Sequence, residues 1–332
     1  MPPTQAHTLV LTRADVVALL DLDACIDAVE DAFRAHAAGY VLPAGVLGTR
    51  AAEGGFHVKV AGLRRGRPYY AAKVNANFPG NAGRGLPTIQ GVVALHDAAD
   101  GSLLALLDSG ALTALRTAAA TAVAARHLAR VDARTVTVVG CGVQGRAQLR
   151  ALARVRPLAR AYACDHDAAA ARAFADELSR ALAIPVEVAA DHRAAASASD
   201  VVVTCTTARG ALLDAGDVRA GAFVAAVGAD AEDKQELTPA LLASSAVVVD
   251  VLAQCAAIGD LHHALDAGAM RRDDVRGELA DVVSGRRPGR LRDDEVVVFD
   301  STGTALEDVA AAAVIYERAC ALGRGVALVL GT

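Results

Sequence analysis

Thr135-Val-Thr-Val-Val-Gly-Cys-Gly-Val-Gln-Gly145 carries a β-branched run straight into a glycine triplet, Gly140, Gly142 and Gly145. A helical pattern, Arg146 to Val155, follows at once. Dinucleotide binding needs that order. The first glycine permits a tight turn, the second lets the backbone approach a pyrophosphate, and the third lets helix and strand pack closely. The helix start then offers unpaired N–H groups and a positive dipole end to the phosphates. Val143 and Gln144 complete the turn. A second apolar run, Ala159 to Cys164, ends at Asp165, about 20 residues past Gly145, where a ribose-binding acid is expected. A carboxylate there bonds ribose hydroxyls and repels a 2′-phosphate, so NAD is expected in preference to NADP.

Working outward, strands and helices alternate after the triplet. Runs at Val186–Ala189, Val201–Thr204, Ala222–Val227, Val247–Val251 and Val296–Phe299 predict strands, with helical patterns between most of them. Such alternation predicts an α/β fold with a doubly wound, mainly parallel sheet. Before the triplet, Thr12-x-x-Asp15 reads as a capping box, and Val16, Leu19, Leu20, Ile26, Val29 and Phe33 carry a helical stripe to Gly39. Strands are then expected at Phe56–Leu63, Tyr69–Phe78, Ile89–His96 and Leu103–Leu107, and a helix from Leu112 to Leu128. A last helical run covers Ala305 to Leu322, and the Arg- and Gly-rich stretch Asp281–Asp294 reads as an exposed loop.

A chain of 332 residues has room for two cores. It is 54% hydrophobic but only 3% aromatic, so alanine, valine and leucine must build the interior. A net charge of −5 with both signs interspersed points away from nucleic acid or an anionic membrane as partner. No apolar run reaches membrane-spanning length without a charge, and the start lacks the basic-then-apolar layout of a signal peptide. The six cysteines are scattered without a C-x-x-C pair, which suits buried core residues in a reducing cytoplasm. Cys141, inside the glycine turn, reads as a backbone-approach position rather than a nucleophile. No metal is expected.

The chain has thirty arginines but only three lysines, Lys59, Lys73 and Lys234. Where arginine replaces lysine so widely, a surviving lysine is a candidate for chemistry that arginine cannot perform, since only lysine titrates. Lys59 and Lys73 lie on the two arms of the hairpin expected around Arg64–Pro68. Symmetry about Gly66 sets them opposite each other, as it does His57 and Asn75. Alternation puts His57, Lys59, Lys73, Asn75 and Asn77 on one face, and Phe56, Val58, Val60, Tyr70, Val74 and Phe78 on the other. Opposed like charges destabilise a sheet. Two readings of that face stand: a solvated outer surface, or a pair of ammonium groups that holds a substrate carboxylate while each lowers the other's pKa.

Several blocks resemble the ornithine cyclodeaminase/μ-crystallin family. They are Lys73-Val-Asn-Ala-Asn-Phe-Pro, Leu86-Pro-Thr-Ile, Gly101-Ser-Leu-Leu-Ala-Leu-Leu-Asp108 and Leu112-Thr-Ala-Leu-Arg116-Thr-Ala-Ala. Gly140 to Gly145, Val227-Gly-Ala-Asp230 and Asp300-Ser-Thr-Gly-Thr-Ala-Leu-Glu-Asp308 follow in the right order. The resemblance implies a Rossmann NAD-binding domain at 131–304. It also implies a mixed α+β substrate-binding and dimerisation domain built from 1–130 with 305–332, in a homodimer. Family members use a nicotinamide cofactor to oxidise amino acids or reduce imines, and some cyclise ornithine with loss of ammonia.

Carried over by position, Lys73 matches the lysine that contacts the substrate carboxylate and serves as an acid. Asp230 matches the catalytic carboxylate that handles the substrate nitrogen. Thr88, Arg116 and Thr117 match cofactor-binding positions, and Arg116 could also reach a substrate carboxylate. Thr204 and Val227 at strand ends, with Ser301 and Gly303, complete the expected cofactor set. Asp230 also follows a predicted strand, and ligands of open α/β sheets bind beyond such ends. As a plain strand-end acid it could instead cap a helix. The chain departs from cyclodeaminases in three places. Pro43-Ala44-Gly45 stands where they carry a carboxylate-binding arginine, with Arg50 the nearby candidate. Lys59-Val60 replaces a methionine–proline pair, and the first hairpin arm has no acid for a second amino group. Lys59 is then a substitute carboxylate ligand. The expected activity is NAD(H)-dependent imine reduction or amino-acid dehydrogenation on a small 2-imino or 2-amino acid, acidic ones included. The alternatives are a cyclodeaminase using NAD catalytically, and a protein that binds a small ligand without turnover.

Overall fold

A computed structural model describes residues 7–330, apart from the side chains of Arg65 and Ala82. The chain divides into two compact units, Met1–Arg116 with Thr304–Thr332, and Thr117–Gly303. The first division falls within helix α3 (Ser109–Leu128), and not at its end near residue 130.

The first unit is a seven-stranded sheet with helices. Its strands are β1 (Thr8–Leu11), β2 (Val41–Ala51), β3 (Gly54–Arg65), β4 (Arg67–Asn77), β5 (Ile89–Asp97), β6 (Leu103–Asp108) and β17 (Val326–Leu328), in the order β17-β1-β6-β5-β4-β3-β2. The expected first helix is two. Thr12 and Asp15 form the capping box of α1 (Arg13–Leu19), and Asp21 then caps a new helix, α2 (Leu22–Ala37). The apolar stripe runs through both helices and so hides the break. β2 is absent from the sequence reading because Pro43, Gly45 and Gly48 interrupt any alternation; as a sheet-edge strand it tolerates them.

The hairpin of β3 and β4 turns at Gly66, whose φ of +65° favours glycine. Its register places Lys59 opposite Lys73 and His57 opposite Asn75, as the symmetry argument expects. The lysine face is the inner one. Lys73 is 3% exposed, whereas Val74, next along the strand, is 38% exposed. Ala61, Ala71, Val93, Leu95 and Leu107 share the buried side, against which α11 (Ala305–Leu322) packs. The alanines along α11 allow this close approach, and every residue from Ala305 to Ala313 is buried.

The second unit is the expected doubly wound sheet, with every pairing parallel. Its strands are β7 (Thr135–Val139), β8 (Arg160–Cys164), β9 (Val186–Val188), β10 (Val201–Thr204), β12 (Phe223–Ala226), β14 (Ala246–Val249), β15 (Gly277–Glu278) and β16 (Val297–Asp300). The order β15-β14-β16-β12-β10-β7-β8-β9 reverses between β7 and β10, the switch point where such sheets bind ligands. The helices are α4 (Val143–Val155), α5 (Ala168–Leu182), α6 (His192–Ser197), α7 (Pro239–Ala243), α8 (Leu252–Ile258), α9 (Asp260–Asp266) and α10 (Leu279–Val283). Val202, Val224, Val247, Val298 and Leu261 form the core on one side of the sheet. Two short strands, β11 (Arg209–Leu213) and β13 (Gln235–Leu237), pair separately. The stretch expected as a loop from Asp281 begins inside α10 and is free of helix and strand only from Ser284 to Val296.

Candidate functional site

In the second unit the three fingerprint glycines divide by cause. Gly140 has φ +105°, and a Cβ there would stand 2.8 Å from the Cys205 carbonyl oxygen. A Cβ on Gly145 would lie 2.1 Å from the Gly140 carbonyl oxygen. Those two answer to the protein's own packing. Gly142 has an ordinary φ of −78° at the start of α4, and a Cβ on it would meet nothing within 4 Å. Nothing within the protein itself requires glycine there. Beside it, Gln144 Oε1 is buried without a hydrogen-bond partner among the described residues. An open helix start with free N–H groups and a bare glycine fit a dinucleotide pyrophosphate.

Asp165 follows β8, as expected. Its Oδ2 accepts the Cys141 N–H at 2.8 Å and its Oδ1 accepts the Asp167 N–H at 2.9 Å. The acid therefore props the glycine turn, and a carboxylate with about four lone-pair positions keeps acceptors for a ribose. Cys141 is fully buried; burial first, then Asp165, push its thiol up to about 12, which suits a spacer and not a nucleophile.

The ends of β10, β12 and β16 carry the remaining cofactor candidates. Thr204 is buried at the end of β10, and its carbonyl accepts the Val227 N–H at 2.9 Å. Ser301 N donates to the Ala226 carbonyl at 2.9 Å. Asp250 holds this last segment, accepting Gly303 N at 2.7 Å and Ser301 Oγ at 3.1 Å. Asp230 sits in the turn after β12, exposed and away from any helix start, which removes the capping alternative. Its Oδ1 is 2.5 Å from Lys234 Nζ. The third lysine of the chain thus has a carboxylate partner.

In the first unit the lysine face meets acids that sequence reading did not assign. Lys73 Nζ lies 2.6 Å from Asp308 Oδ2, and Arg116 Nε lies 2.9 Å from Asp308 Oδ1. Arg116 also pairs with Glu307 at 2.7 Å. All four side chains are at most 5% exposed. Arg116 therefore lies inside, not on an exposed helix face. Burial first, then Arg116 and Lys59, push the Lys73 ammonium down to about 7, with Asp308 pulling the other way. Burial alone would raise Asp308, but Arg116 and Lys73 outweigh it and hold the acid below the usual carboxylate range. The like charges opposed on the sheet are thus balanced from α11. With its pKa lowered this far, the lysine can hold an anion in its protonated form and give up a proton.

Lys59, Lys73 and Arg116 are therefore gathered in one place. Thr88, just before β5, is half-buried, and its carbonyl accepts the Phe78 N–H at 2.9 Å; Thr117 is half-buried on α3. Arg50 lies on exposed β2. The signal for Glu307 and Asp308 was two adjacent acids in an otherwise apolar helical run.

A Rossmann unit with an open phosphate turn, and a second sheet that buries a lysine among ionised partners, define a dinucleotide-binding protein of a two-unit type. The chain belongs to the ornithine cyclodeaminase/mu-crystallin family, whose sequence profile matches residues 6–322. It is 34% identical to an iminosuccinate reductase of Paracoccus denitrificans over 315 residues, 94% of this chain and 96% of that one. The Δ1-pyrroline-2-carboxylate reductase of Thermococcus litoralis, solved with NADH and L-proline, superposes with a TM-score of 0.92 at 31% identity, covering 96% and 99% of the two chains. An archaeal alanine dehydrogenase dimer with bound NAD gives a TM-score of 0.92 at 34% identity, covering 97% and 99%.

Proposed function

We propose that the protein reduces a small 2-imino acid to the 2-amino acid, or runs the reverse dehydrogenation. It is an NAD(H)-dependent oxidoreductase acting on C=N and CH–NH2 groups. The observation that carries the substrate class is Lys73, a buried lysine set between Arg116 and Asp308. The three relatives act on or bind imino and amino acids, as their names state.

The cofactor supplies the hydride for reduction or accepts it in oxidation. Gly142 and the start of α4 hold its pyrophosphate, with Asp165 on the ribose, which favours NAD over NADP. Thr204, Val227, Ser301 and Gly303 line the strand ends of the same unit. In the first unit Lys73 and Arg116, aided by Lys59, hold the substrate carboxylate, and Lys73 in its protonated form orients that anion. In the second unit Asp230, paired with Lys234, moves a proton at the substrate nitrogen. On the β3 arm His57, Lys59 and Ala61 share the inner face. The absence of a carboxylate on that arm disfavours a substrate with a second amino group, and with it the cyclodeaminase reading.

The assembly is a homodimer. The outer face of the first sheet sets Leu47, Val58, Val74 and Val92 in register across β2 to β5, with Phe56 beside them. Leu47 is 60% and Phe56 42% exposed, a large apolar surface for a monomer to present to water. All six cysteines are free thiols, which suits the cytoplasm; among the described residues no helix is long and apolar enough to cross a membrane.

The test is a pair of variants. Lys73→Ala and Asp230→Asn should each lose about a hundredfold or more in turnover while NADH binding, followed by its fluorescence, stays at the parent value. Full turnover in Lys73→Ala would contradict the reading.

A further inference from the structure

Glu236, in β13, is a fully buried carboxylate that fastens two loops of the second unit at once. Its Oε1 accepts hydrogen bonds from Thr206 N and Thr206 Oγ1, both at 2.7 Å, and its Oε2 accepts Gly228 N at 2.8 Å. Thr206 lies just beyond β10 and Gly228 just beyond β12, and these two strands are parallel neighbours. Doubly wound sheets bind their ligands past such strand ends.

Three contacts show that the surroundings are shaped to this clasp. A Cβ on Gly228 would lie 2.4 Å from Glu236 Oε1, so glycine is required opposite the acid. On its other side, Thr206 backs the fingerprint, since a Cβ on Gly140 would come within 3.2 Å of Thr206 Cγ2. Glu236 is itself seated: its N–H and that of Leu237 donate to Asp260 Oδ1 at 2.8 and 2.9 Å. The chain between Gly228 and Glu236 forms a loop whose neck the carboxylate closes. Asp230 N donates to the Gly228 carbonyl at 3.1 Å, and Asp230 and Lys234 pair within that loop.

Such an acid is costly to keep for packing alone. Burial first, then Asp260, push Glu236 up to about 7. Among the described residues its anchors are backbone amides and threonine hydroxyls, with no cation paired to it. A carboxylate is suited to this place because both its oxygens accept, whereas an amide must turn an NH2 towards one set of donors.

We propose that Glu236 is a positioning residue of the cofactor site: by clasping Thr206 and Gly228 it fixes the loop that follows Thr204 at the end of β10 and the loop that bears Asp230. The proposal rests on the dinucleotide reading of the second unit.

Full-length Glu236→Gln tests it by NADH fluorescence titration, thermal unfolding, and kinetics with the imino acid varied at saturating NADH. We expect a folded protein that binds NADH roughly tenfold more weakly, the scale of a lost buried hydrogen bond. The kcat should fall while KM for the acid, set by Lys73 and Arg116, stays within about twofold. A lower Tm with parental NADH affinity and kcat would reduce Glu236 to a structural part and overturn the proposal. If Glu236→Gln does not fold, Thr206→Val removes one donor and keeps the backbone one. It should weaken NADH binding about threefold, and parental affinity there would overturn the proposal. A parent protein that does not bind NADH would overturn the cofactor reading itself, a failure visible before any variant is made.

Discussion

Lys73 and Asp308 meet at 2.6 Å, joining the middle of β4 to the first turn of α11 where both side chains are almost wholly buried. The pair puts a titratable cation inside a sheet and supplies its counter-charge from a helix. Removing one partner of such a pair leaves a buried charge unbalanced. Asp308→Asn should therefore cost roughly 3 kcal/mol of stability, read from urea unfolding. A loss near zero would mean that Glu307 balances Arg116 and Lys73 unaided.

Lys73 also predicts a pH dependence. Its folded value of about 7 lies below the ordinary 10.5, so the unfolded chain binds the extra proton between those limits. Stability should therefore rise with pH through that window, and the contribution should be lost as pH falls to about 7. For reduction the sign is opposite. The protonated lysine holds the carboxylate, so kcat/KM should fall as pH rises through about 7. Lys73→Arg, which stays charged, should flatten that limb; an unchanged profile would assign it to another group.

Gly142 predicts a separation of binding from folding. A Cβ there meets nothing in the protein, so Gly142→Ala should leave Tm within a few degrees of the parent. NADH affinity should nevertheless fall roughly tenfold, because the new methyl occupies the approach of the pyrophosphate. Gly145→Ala, which would strike the Gly140 carbonyl, should instead lower Tm. Equal Tm losses in both variants would contradict the division.

The apolar outer face predicts the assembly. Val74→Asp places a charge at its centre without touching Lys73, whose side chain points inward. Sedimentation should then show monomers where the parent gives dimers. A Val74→Asp protein that remains dimeric would move the interface elsewhere.

How much of this was legible in the sequence depended on how local the cause is. The glycine turn, Asp165 and the Lys59–Lys73 register follow from spacing along a few residues, and the structure places them as expected. Which face of the hairpin is buried was not legible, because polar lysines on an inner face run against simple patterning. The answer lay in Glu307 and Asp308, far along the chain on a helix whose alanines give no marked periodicity. β2 was hidden by Pro43, Gly45 and Gly48, and the break before α2 by an apolar stripe that continues through it. Asp250 and Glu236 act on backbone amides of distant loops, a role that no local pattern announces.

The most direct test is NADH oxidation with purified protein. The substrates would be Δ1-pyrroline-2-carboxylate and small 2-oxo acids (glyoxylate, pyruvate, oxaloacetate), the latter with and without ammonium or methylamine. Imine reduction predicts one NADH consumed per amino acid formed, and for the oxo acids a strict need for the amine. NADH left untouched across the panel, with ornithine losing ammonia on catalytic NAD, would contradict it.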